Sequence, residues 1–291
     1  ETLGALSVCG IDLFRKKFEK VLTENIEVIG PDCFRCPYNL QPESCGAECF
    51  ETMEKTLAIN AKTVAGVVVE PLVQGAAGMK MYPPVYLKKL EDACASTGTH
   101  TIYDEVAVAF GRTGALFVCG EHGLSPTFLC LSKGITSGYL PLAATLTSEE
   151  IFQVFYGEPS SMKLFIHSHS YTANPLACAC ANETIAMLRE SNFLETLQPK
   201  IKYLGETGNR LRELEWCGEF RQTGMIAAVE LVRDKKSREP FSSELRVGYR
   251  IYLEGLKRGV FMRPLGNVIY FIPPLIIMEK EIETMIDAAD A

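Results

Sequence analysis

The chain of 291 residues carries a net charge of −7, with 47% hydrophobic and 22% charged residues, a composition typical of a globular protein with one large core or two domains. No basic run suggests nucleic acid as a partner, and no apolar stretch reaches the roughly 18 residues that span a bilayer. The lack of a signal peptide and the eleven cysteines, which fit a reducing compartment, predict a soluble cytoplasmic protein. Because the sequence begins with Glu1 instead of Met, we expect it to be a piece of a longer protein.

Residues 10 to about 190 alternate between β-rich apolar runs and helical patterns. Strands are predicted at 64–70, 99–105, 127–132 and 142–147, and residues 86–95 carry apolar side chains at helical spacing. Asn174 and Pro175 are typical of a helix start, and this helix is expected to reach about Arg189. The alternation predicts an α/β fold with a mostly parallel sheet.

The pattern changes in the last third of the chain. Residues 198–215 and 243–258 are predicted to form amphipathic helices, the second ending at Gly259. Strand-like runs cover 225–232 and 268–272. We therefore predict a large domain at 1–190 and a small C-terminal α+β domain at 191–291.

Two polar residues stand at the ends of predicted buried strands. Asp104 ends the strand at 99–105, and Lys133 follows the strand at 127–132, between Ser132 and Gly134. A lysine and a carboxylate in this arrangement can hold the cofactor pyridoxal phosphate (PLP), with the lysine on its aldehyde and the carboxylate on its ring nitrogen. Taken singly, Lys133 could be a surface lysine and Asp104 a turn or helix cap.

Other segments are compatible with binding roles. The Phe110–Gly114 segment reads as a tight turn with a structural arginine. The polar segment that contains His167, His169 and Ser170 precedes a helix, and its hydroxyl groups could donate to phosphate; neither histidine is assigned a proton-transfer role. Arg263 could bind a substrate carboxylate, or it could be a surface residue.

Four cysteines form a second constellation, with two close pairs at Cys33 and Cys36 and at Cys45 and Cys49. Such pairs can supply thiolates to a structural zinc ion. The loop between the pairs is shorter than in most zinc sites, and the surrounding Pro-rich connection tolerates free thiols. Packing cysteines and no metal are the preferred interpretation, and zinc is the alternative.

Together these segments resemble the class III, fold-type I PLP-dependent aminotransferases. Four motifs occur in family order: Val-Glu70-Pro-Leu-Val-Gln-Gly, Asp104-Glu-Val-x3-Phe-Gly-Arg-Thr-Gly, Leu-Ser-Lys133-Gly and Ser170-Tyr-x2-Asn-Pro-Leu-Ala-Cys. They cover nearly the whole chain, so the resemblance is far more specific than any single motif. It implies an enzyme with PLP as cofactor and small-molecule substrates.

Within this family the chain is most similar to the branch that aminates 8-amino-7-oxononanoate to 7,8-diaminononanoate in biotin synthesis. The supporting segments are Cys33-Phe-Arg-Cys-Pro, Gln74-Gly-Ala-Ala-Gly-Met-Lys-Met-Tyr, Gly138-Tyr-Leu-Pro-Leu-Ala and Arg263-Pro-Leu-Gly-Asn-Val-Ile-Tyr-Phe. Ala107 adds to this, because the ornithine- and 4-aminobutyrate-type relatives usually carry Gln there. The amino donor, S-adenosylmethionine or lysine, stays open.

The resemblance also implies roles for individual residues. Lys133 would be the catalytic residue and would bind the aldehyde carbon of PLP, and Asp104 would bind its pyridine nitrogen. Ser170 would reach the phosphate of the PLP held by the other subunit, which implies a homodimer with shared sites. Three further residues would line the substrate pocket: Gly138, Arg263 and Tyr270.

The sequence departs from the family at its beginning. The family has a Gly-Ser-x-Ala phosphate loop and a Tyr-His-Gly segment, and Glu1 resembles a position just after that segment. We therefore expect an incomplete phosphate site. Two alternatives to the biotin-pathway enzyme remain: another class III aminotransferase that acts on a different ω-amine, and a non-catalytic or metal-binding remnant of the fold.

Overall fold

The computed structural model describes residues 2–190 and 192–291. Glu1, where the sequence departs from the family, and Ser191, where the domain boundary is predicted, lie outside the described residues. The division into two domains at that point therefore stays a prediction.

The described residues form ten α-helices, eleven strands and several 3-10 turns. The helices are α1 (Leu3–Ser7), α2 (Asp12–Arg15), α3 (Glu51–Asn60), α4 (Val85–Thr97), α5 (Val118–Glu121), α6 (Glu149–Val154), α7 (Pro175–Glu190), α8 (Phe193–Gly208), α9 (Val247–Lys257) and α10 (Glu279–Asp290). The strands are β1 (Gly66–Val69), β2 (Val73–Gln74), β3 (Lys80–Met81), β4 (His100–Asp104), β5 (Phe128–Leu131), β6 (Ala144–Thr147), β7 (Cys217–Thr223), β8 (Ile226–Asp234), β9 (Glu239–Pro240), β10 (Arg263–Leu265) and β11 (Val268–Phe271). None of the described helices has the length and apolar character needed to cross a membrane.

The first sheet has the order β1-β4-β5-β6. Strands β1, β4 and β5 are parallel, and β6 pairs antiparallel with β5 at the edge. Helix α4 covers this sheet with Leu87 and Leu90, which are fully buried. The predicted α/β fold with a mostly parallel sheet is confirmed, and each of its four predicted strands is present.

The second sheet is antiparallel and has the order β10-β11-β8-β7, with β9 paired to β8. Strand β8 is buried on both faces: Ile226 and Ala228 belong to the core of the first sheet, whereas Val229 and Leu231 belong to a second core with α8 and α10. Because one strand contributes to both cores, the second sheet is packed directly against the first core.

Three helix predictions can be compared with the structure. The Asn174 side chain accepts hydrogen bonds from the backbone N–H groups of Leu176 (3.0 Å) and Ala177 (3.2 Å), so the predicted N-cap of α7 is confirmed. Helix α9 ends before Gly259, whose φ of +77° gives the left-handed conformation expected at a helix end. Helix α8 begins five residues before the predicted position 198, with Pro199 inside it.

The Phe110–Gly114 turn links the two sheets. Arg112 Nη1 donates to the Pro273 carbonyl oxygen (2.6 Å), and the Arg112 carbonyl accepts from Met225 N–H (2.8 Å). Burial lowers the pKa of Arg112 to about 10. Gly224 has a φ of +58°, and a Cβ there would lie 2.4 Å from the Thr113 backbone. The interpretation of Arg112 as a structural arginine agrees with these contacts.

Glu105 is fully buried directly after β4. Its two carboxylate oxygens accept from the backbone N–H groups of Val118 and Cys119, each at 2.8 Å, at the start of α5. Burial raises the pKa of Glu105 by more than the hydrogen bonds from these two N–H groups lower it, so the pKa lies above its ordinary value. The carboxylate therefore fixes the segment after β4 to α5.

We expect Glu105→Ala to lower the free energy of unfolding by about 2–4 kcal/mol, because it leaves two buried N–H groups without acceptors and opens a cavity. Urea unfolding followed by circular dichroism measures this. Glu121→Ala, at an exposed position of α5, the helix that Glu105 contacts, is the matched control. Equal midpoints for the two variants would contradict the assigned role of Glu105.

Candidate active site

Three ionisable residues follow the carboxyl ends of adjacent parallel strands. Glu70 follows β1, Asp104 ends β4, and Lys133 comes two residues after β5. The register pairs Val69 with Tyr103 and Asp104 with Cys130, so Glu70 and Asp104 lie at the same level of the sheet. Adjacent strands lie about 4.8 Å apart. The fold therefore brings the two predicted residues Asp104 and Lys133 to one edge, with Glu70 beside them.

Glu70 is held by the segment that follows β1. Its Oε1 accepts from Gly75 N–H (3.0 Å), and its backbone carbonyl accepts from the Tyr82 hydroxyl (2.6 Å). Burial raises the pKa of Glu70 and the negative charge of Asp104 raises it further, whereas Gly75 N–H and Lys133 lower it. The Glu70 carboxyl is thus close enough to Asp104 and Lys133 to be electrostatically coupled to both.

The Asp104 carboxylate is half-buried. Its Oδ1 accepts from Val106 N–H (3.0 Å), and this is its only hydrogen bond within residues 2–190 and 192–291. The cap that the sequence allowed as an alternative is therefore present, but it uses one oxygen only. The second oxygen has no donor among the described residues, so it is free to accept from a protonated ring nitrogen.

Lys133 begins a 3-10 turn, Lys133–Thr136, and its side chain is exposed. The backbone of Lys133 has a φ of +44°, in the left-handed region that costs about 1–2 kcal/mol for a residue with a Cβ. Gly134 lets the turn approach Phe110, because a Cβ on Gly134 would lie 2.9 Å from the Phe110 Cβ. This close approach fixes where the lysine leaves the backbone.

Neighbouring hydroxyl groups hold the ends of the same turn. Ser132 Oγ donates to the Leu142 carbonyl (2.7 Å), and Thr136 Oγ1 donates to the Leu140 carbonyl (2.5 Å). Ser137 Oγ lies 3.2 Å from Thr184 Oγ1 of α7. The turn is therefore anchored to the 140–142 segment and to a helix, which gives the lysine a rigid base.

The two predicted residues Gly138 and Ser170 lie on exposed segments. Gly138 has a φ of +82° and follows the Lys133 turn directly. Ser170 lies in the polar segment before α7 with His167 and His169, and all three are exposed. Within the described part of the chain no hydrogen bond joins Ser170 to Lys133, so their predicted roles around one cofactor remain predictions.

Arg263 and Tyr270 are brought together by the second sheet, where they are direct partners in the antiparallel pair β10–β11. Arg263 is exposed, and Tyr270 packs against the core of the first sheet. Burial raises the pKa of Tyr270, and the positive charge of Arg263 lowers it. An exposed arginine beside a tyrosine hydroxyl can bind a carboxylate.

The four clustered cysteines lie near one another in the structure. Burial raises the pKa of Cys33 to about 12, and Cys45, Cys49 and Cys36 raise it as well. All four are free thiols. Across the described ranges, no group of three or more His, Cys, Asp or Glu side chains is arranged to hold a metal ion. The geometry therefore gives no support to the zinc alternative.

A cavity of about 800 Å³ lies between the β2–β3 hairpin and the second sheet, lined by residues that include Asp32, Gly78, Lys80 and Arg221. Neither Asp104 nor Lys133 lines it. We assign the candidate active site by its chemistry, at the carboxyl edge of the first sheet, and treat this cavity as a separate feature.

Sequence reasoning left two residues without a role: Glu70, at the candidate active site, and Arg221, which lines the separate cavity. Glu70 was visible in a motif, and its position after β1 repeats that of Asp104 after β4, which is a usable signal. Arg221 gave no such signal, because β7 has the polar sequence Cys-Gly-Glu-Phe-Arg-Gln-Thr and was not predicted as a strand.

Known proteins resemble this chain over its whole length. The family described as Aminotransferase class-III matches residues 1–290. The adenosylmethionine-8-amino-7-oxononanoate aminotransferase of Geobacter sulfurreducens is 48% identical over 100% of this chain and 64% of its own length. The enzyme of that name from Methanocaldococcus jannaschii is 40% identical over 99% of this chain and 65% of its own length. The chain thus spans a little under two thirds of these curated relatives.

Solved structures agree with these matches. The crystal structure of the Methanocaldococcus jannaschii enzyme superposes with a TM-score of 0.90 at 38% identity, covering 100% of this chain and 65% of that one. An amine transaminase from an uncultivated Pseudomonas species, in its PLP-bound internal aldimine form, gives a TM-score of 0.91 at 30% identity, covering 99% and 66%. The fold is that of the fold-type I transaminases. The full-length family match and these superpositions show that the chain belongs to the class III aminotransferase family.

Proposed function

We propose that the full-length protein carrying this chain is a PLP-dependent aminotransferase that converts 8-amino-7-oxononanoate to 7,8-diaminononanoate in biotin synthesis. The observation that carries the enzyme class is the placement of Asp104 and Lys133 at the ends of β4 and β5. The substrate rests on the names of the relatives, of which eight range from 34% to 48% identity, and on Ala107.

Each residue then has a defined task. The Lys133 amine would bond to the aldehyde carbon of PLP and, once displaced by an amino donor, would carry the proton from the donor carbon. Asp104 would keep the ring nitrogen protonated, and when bound the cofactor supplies an electron sink for the carbanion. The left-handed backbone at Lys133 gives the amine a defined starting point.

The substrate groups would lie on the second sheet and on the loop after Lys133. Arg263 would bind the carboxylate of the oxononanoate in a bidentate pair, with Tyr270 beside it across β10–β11. Gly138, without a side chain, would leave the channel open. The methylene chain between the carboxylate and the ketone requires no charged partner, so the carboxylate would be the group that orients the end of the substrate remote from the reacting carbon.

A homodimer with shared sites is part of the proposal. The segment from α6 to Tyr171 exposes large apolar side chains, among them Tyr156 (65%), Phe165 (68%), Ile166 (85%) and Tyr171 (76%). Exposed apolar patches of this kind mark protein interfaces. A second copy that covers them would receive the neighbouring Ser170 hydroxyl at its own phosphate site.

Eleven free cysteines support the cytoplasm as the location of the protein.

The first test assays full-length protein on 8-amino-7-oxononanoate with S-adenosylmethionine and with lysine in turn. We expect parallel double-reciprocal plots with one donor, and intersecting plots would count against the scheme.

Lys133→Ala should abolish the visible absorbance of the bound cofactor and lower kcat by at least about 10²–10⁴-fold, the range for loss of a positioned proton carrier. Lys62→Ala, exposed after α3, is the control. Turnover of other ω-amines alone would favour a different class III aminotransferase, and a colourless wild-type protein would favour a remnant.

A second variant tests the carboxylate site. Arg263→Met should raise KM for the oxononanoate about tenfold to hundredfold, since a hydrogen bond to a charged group is worth about 1.5–3 kcal/mol. KM for the amino donor should change much less. Arg258→Met, an exposed arginine paired with Glu254, is the control. The assignment is wrong if a substrate analogue without the carboxylate discriminates between wild type and Arg263→Met as strongly as the oxononanoate does.

Mixed dimers test the shared site. In a dimer of one Lys133→Ala subunit and one Ser170→Ala subunit, one site carries both changes and the other carries neither. We therefore expect mixing and refolding the two variants, at limiting PLP, to give more activity than the mean of the two parents. Activity equal to that mean would place Ser170 at the site of its own subunit or at no site.

A further inference from the structure

Arg221, on β7 of the second sheet, is a buried arginine that contacts the segment next to Glu70. Its side chain is 8% exposed. Its Nε donates to the Met79 carbonyl (2.7 Å) and its Nη2 donates to the Gly78 carbonyl (2.6 Å). One guanidinium therefore holds two consecutive carbonyl groups of the turn that joins β2 to β3.

Two carboxylates hold the guanidinium in turn. Arg221 Nη1 pairs with Glu219 (2.8 Å), and Nη2 pairs with Glu230 (2.9 Å), which also accepts from Arg35 Nη1 (2.8 Å). Buried charges are costly unless they are paired and hydrogen-bonded. Here the pairing is complete, so Arg221 has one well-defined position and can fix the turn.

The turn needs such a support because its backbone is unusual. Gly78 has a φ of +104°, and Met79, which has a side chain, has a φ of +52°. The left-handed conformation is unfavourable for residues other than glycine. The two donated hydrogen bonds fall on the carbonyl groups of these two residues, where they stabilise the strained conformation directly.

The other side of the turn reaches the candidate active site. The Gly75 carbonyl oxygen accepts from the N–H groups of Gly78 (3.1 Å) and Met79 (2.9 Å). The Gly75 N–H donates to Glu70 Oε1 (3.0 Å). Other contacts hold the strands of the hairpin, as Lys80 pairs with Asp32 (2.9 Å). Among the described side chains, Arg221 is the one that donates to the turn itself.

We propose that Arg221 is a positioning residue: through the Gly75–Met79 turn it keeps the Glu70 carboxylate at the end of β1, beside the aspartate and lysine of the proposed site. The second sheet thereby acts on the electrostatics of the first. This inference rests on the proposed function for its consequence in the holoenzyme, whereas the contact with the turn stands by itself.

The test uses Arg221→Lys in the full-length protein, because lysine keeps the charge but its single ammonium group cannot replace the fork that spans two carbonyls and two carboxylates. The matched control is Arg233→Lys, an exposed arginine on β8 that pairs with Glu239 at 3.3 Å. Hydrogen exchange should be about tenfold faster at the Gly75 amide in Arg221→Lys and unchanged in the control.

In the PLP-loaded protein, the pKa obtained from the pH titration of the visible absorbance should shift by about half a unit or more in Arg221→Lys. The reason is that the Glu70 charge moves relative to the bond between Lys133 and the cofactor. Glu70→Gln should shift the titration as well. The double variant Glu70→Gln/Arg221→Lys should shift it no further than Glu70→Gln alone, since the arginine acts through the glutamate.

The outcomes separate the two proposals. A wild-type protein that binds no PLP defeats the proposed function, and the exchange measurement still decides whether Arg221 holds the turn. Unchanged hydrogen exchange at the Gly75 amide in Arg221→Lys overturns the inference. Faster exchange without a shift of the titration also overturns it. So does a double variant whose titration shift is the sum of the two single shifts. If Arg221→Lys does not fold, Glu219→Gln, which removes one carboxylate partner, should give smaller shifts in the same directions, and their absence overturns the inference.

Discussion

The parallel register of β1, β4 and β5 is the constraint on which the candidate site depends. Parallel strands end at the same edge of a sheet, so the residues that follow them become neighbours however far apart they are in sequence. Asp104 is paired with Cys130, and Lys133 follows three residues later. A slip of one residue in either pairing would turn the Asp104 side chain to the other face of the sheet and separate it from the lysine.

The end of each strand is fixed by its own local interactions. Glu105 accepts two backbone N–H groups directly after β4, and the closeness of Gly134 to Phe110 determines the path after β5. Phe110 itself has a φ of +58°, and Lys133, the neighbour of Gly134 in sequence, has a φ of +44°, so a left-handed non-glycine residue lies on each of the two segments that meet here. Backbone strain of this kind persists only where the surroundings determine the conformation, and it concentrates at functional sites.

Much of this arrangement could be predicted from sequence, because its signals are local. Apolar runs that end in Asp104 and in Lys133 identify the strands, the sheet type and the pair.

The antiparallel strand β7 was missed because its burial depends on partners distant in sequence: Arg221 reads as a surface residue until Glu230 and the Gly78 carbonyl are brought next to it. Helix α8 was predicted at 198–215, whereas it begins at Phe193 and ends at Gly208; Pro199 favours a helix start, yet tertiary packing of the residues before it prevails. The sequence marks Ser170 as a hydroxyl before a helix, but its proposed role at the site of a second copy has no local signal.

The double burial of β8 explains how the second sheet can bear on the chemistry of the first. Alternate residues of this strand enter two cores, so the sheet that carries Arg263, Tyr270 and Arg221 cannot move against the first core without exposing apolar surface of both. At Gly224, next to the second sheet, the Thr113 backbone of the Phe110–Gly114 turn leaves no room for even a methyl group. A substrate carboxylate bound at Arg263 would therefore be held by a rigid frame at a set distance from Lys133. Under the proposed function such a frame would select the substrate by length, because a longer or shorter chain could not place its reacting carbon at the lysine while its carboxylate stays on the arginine.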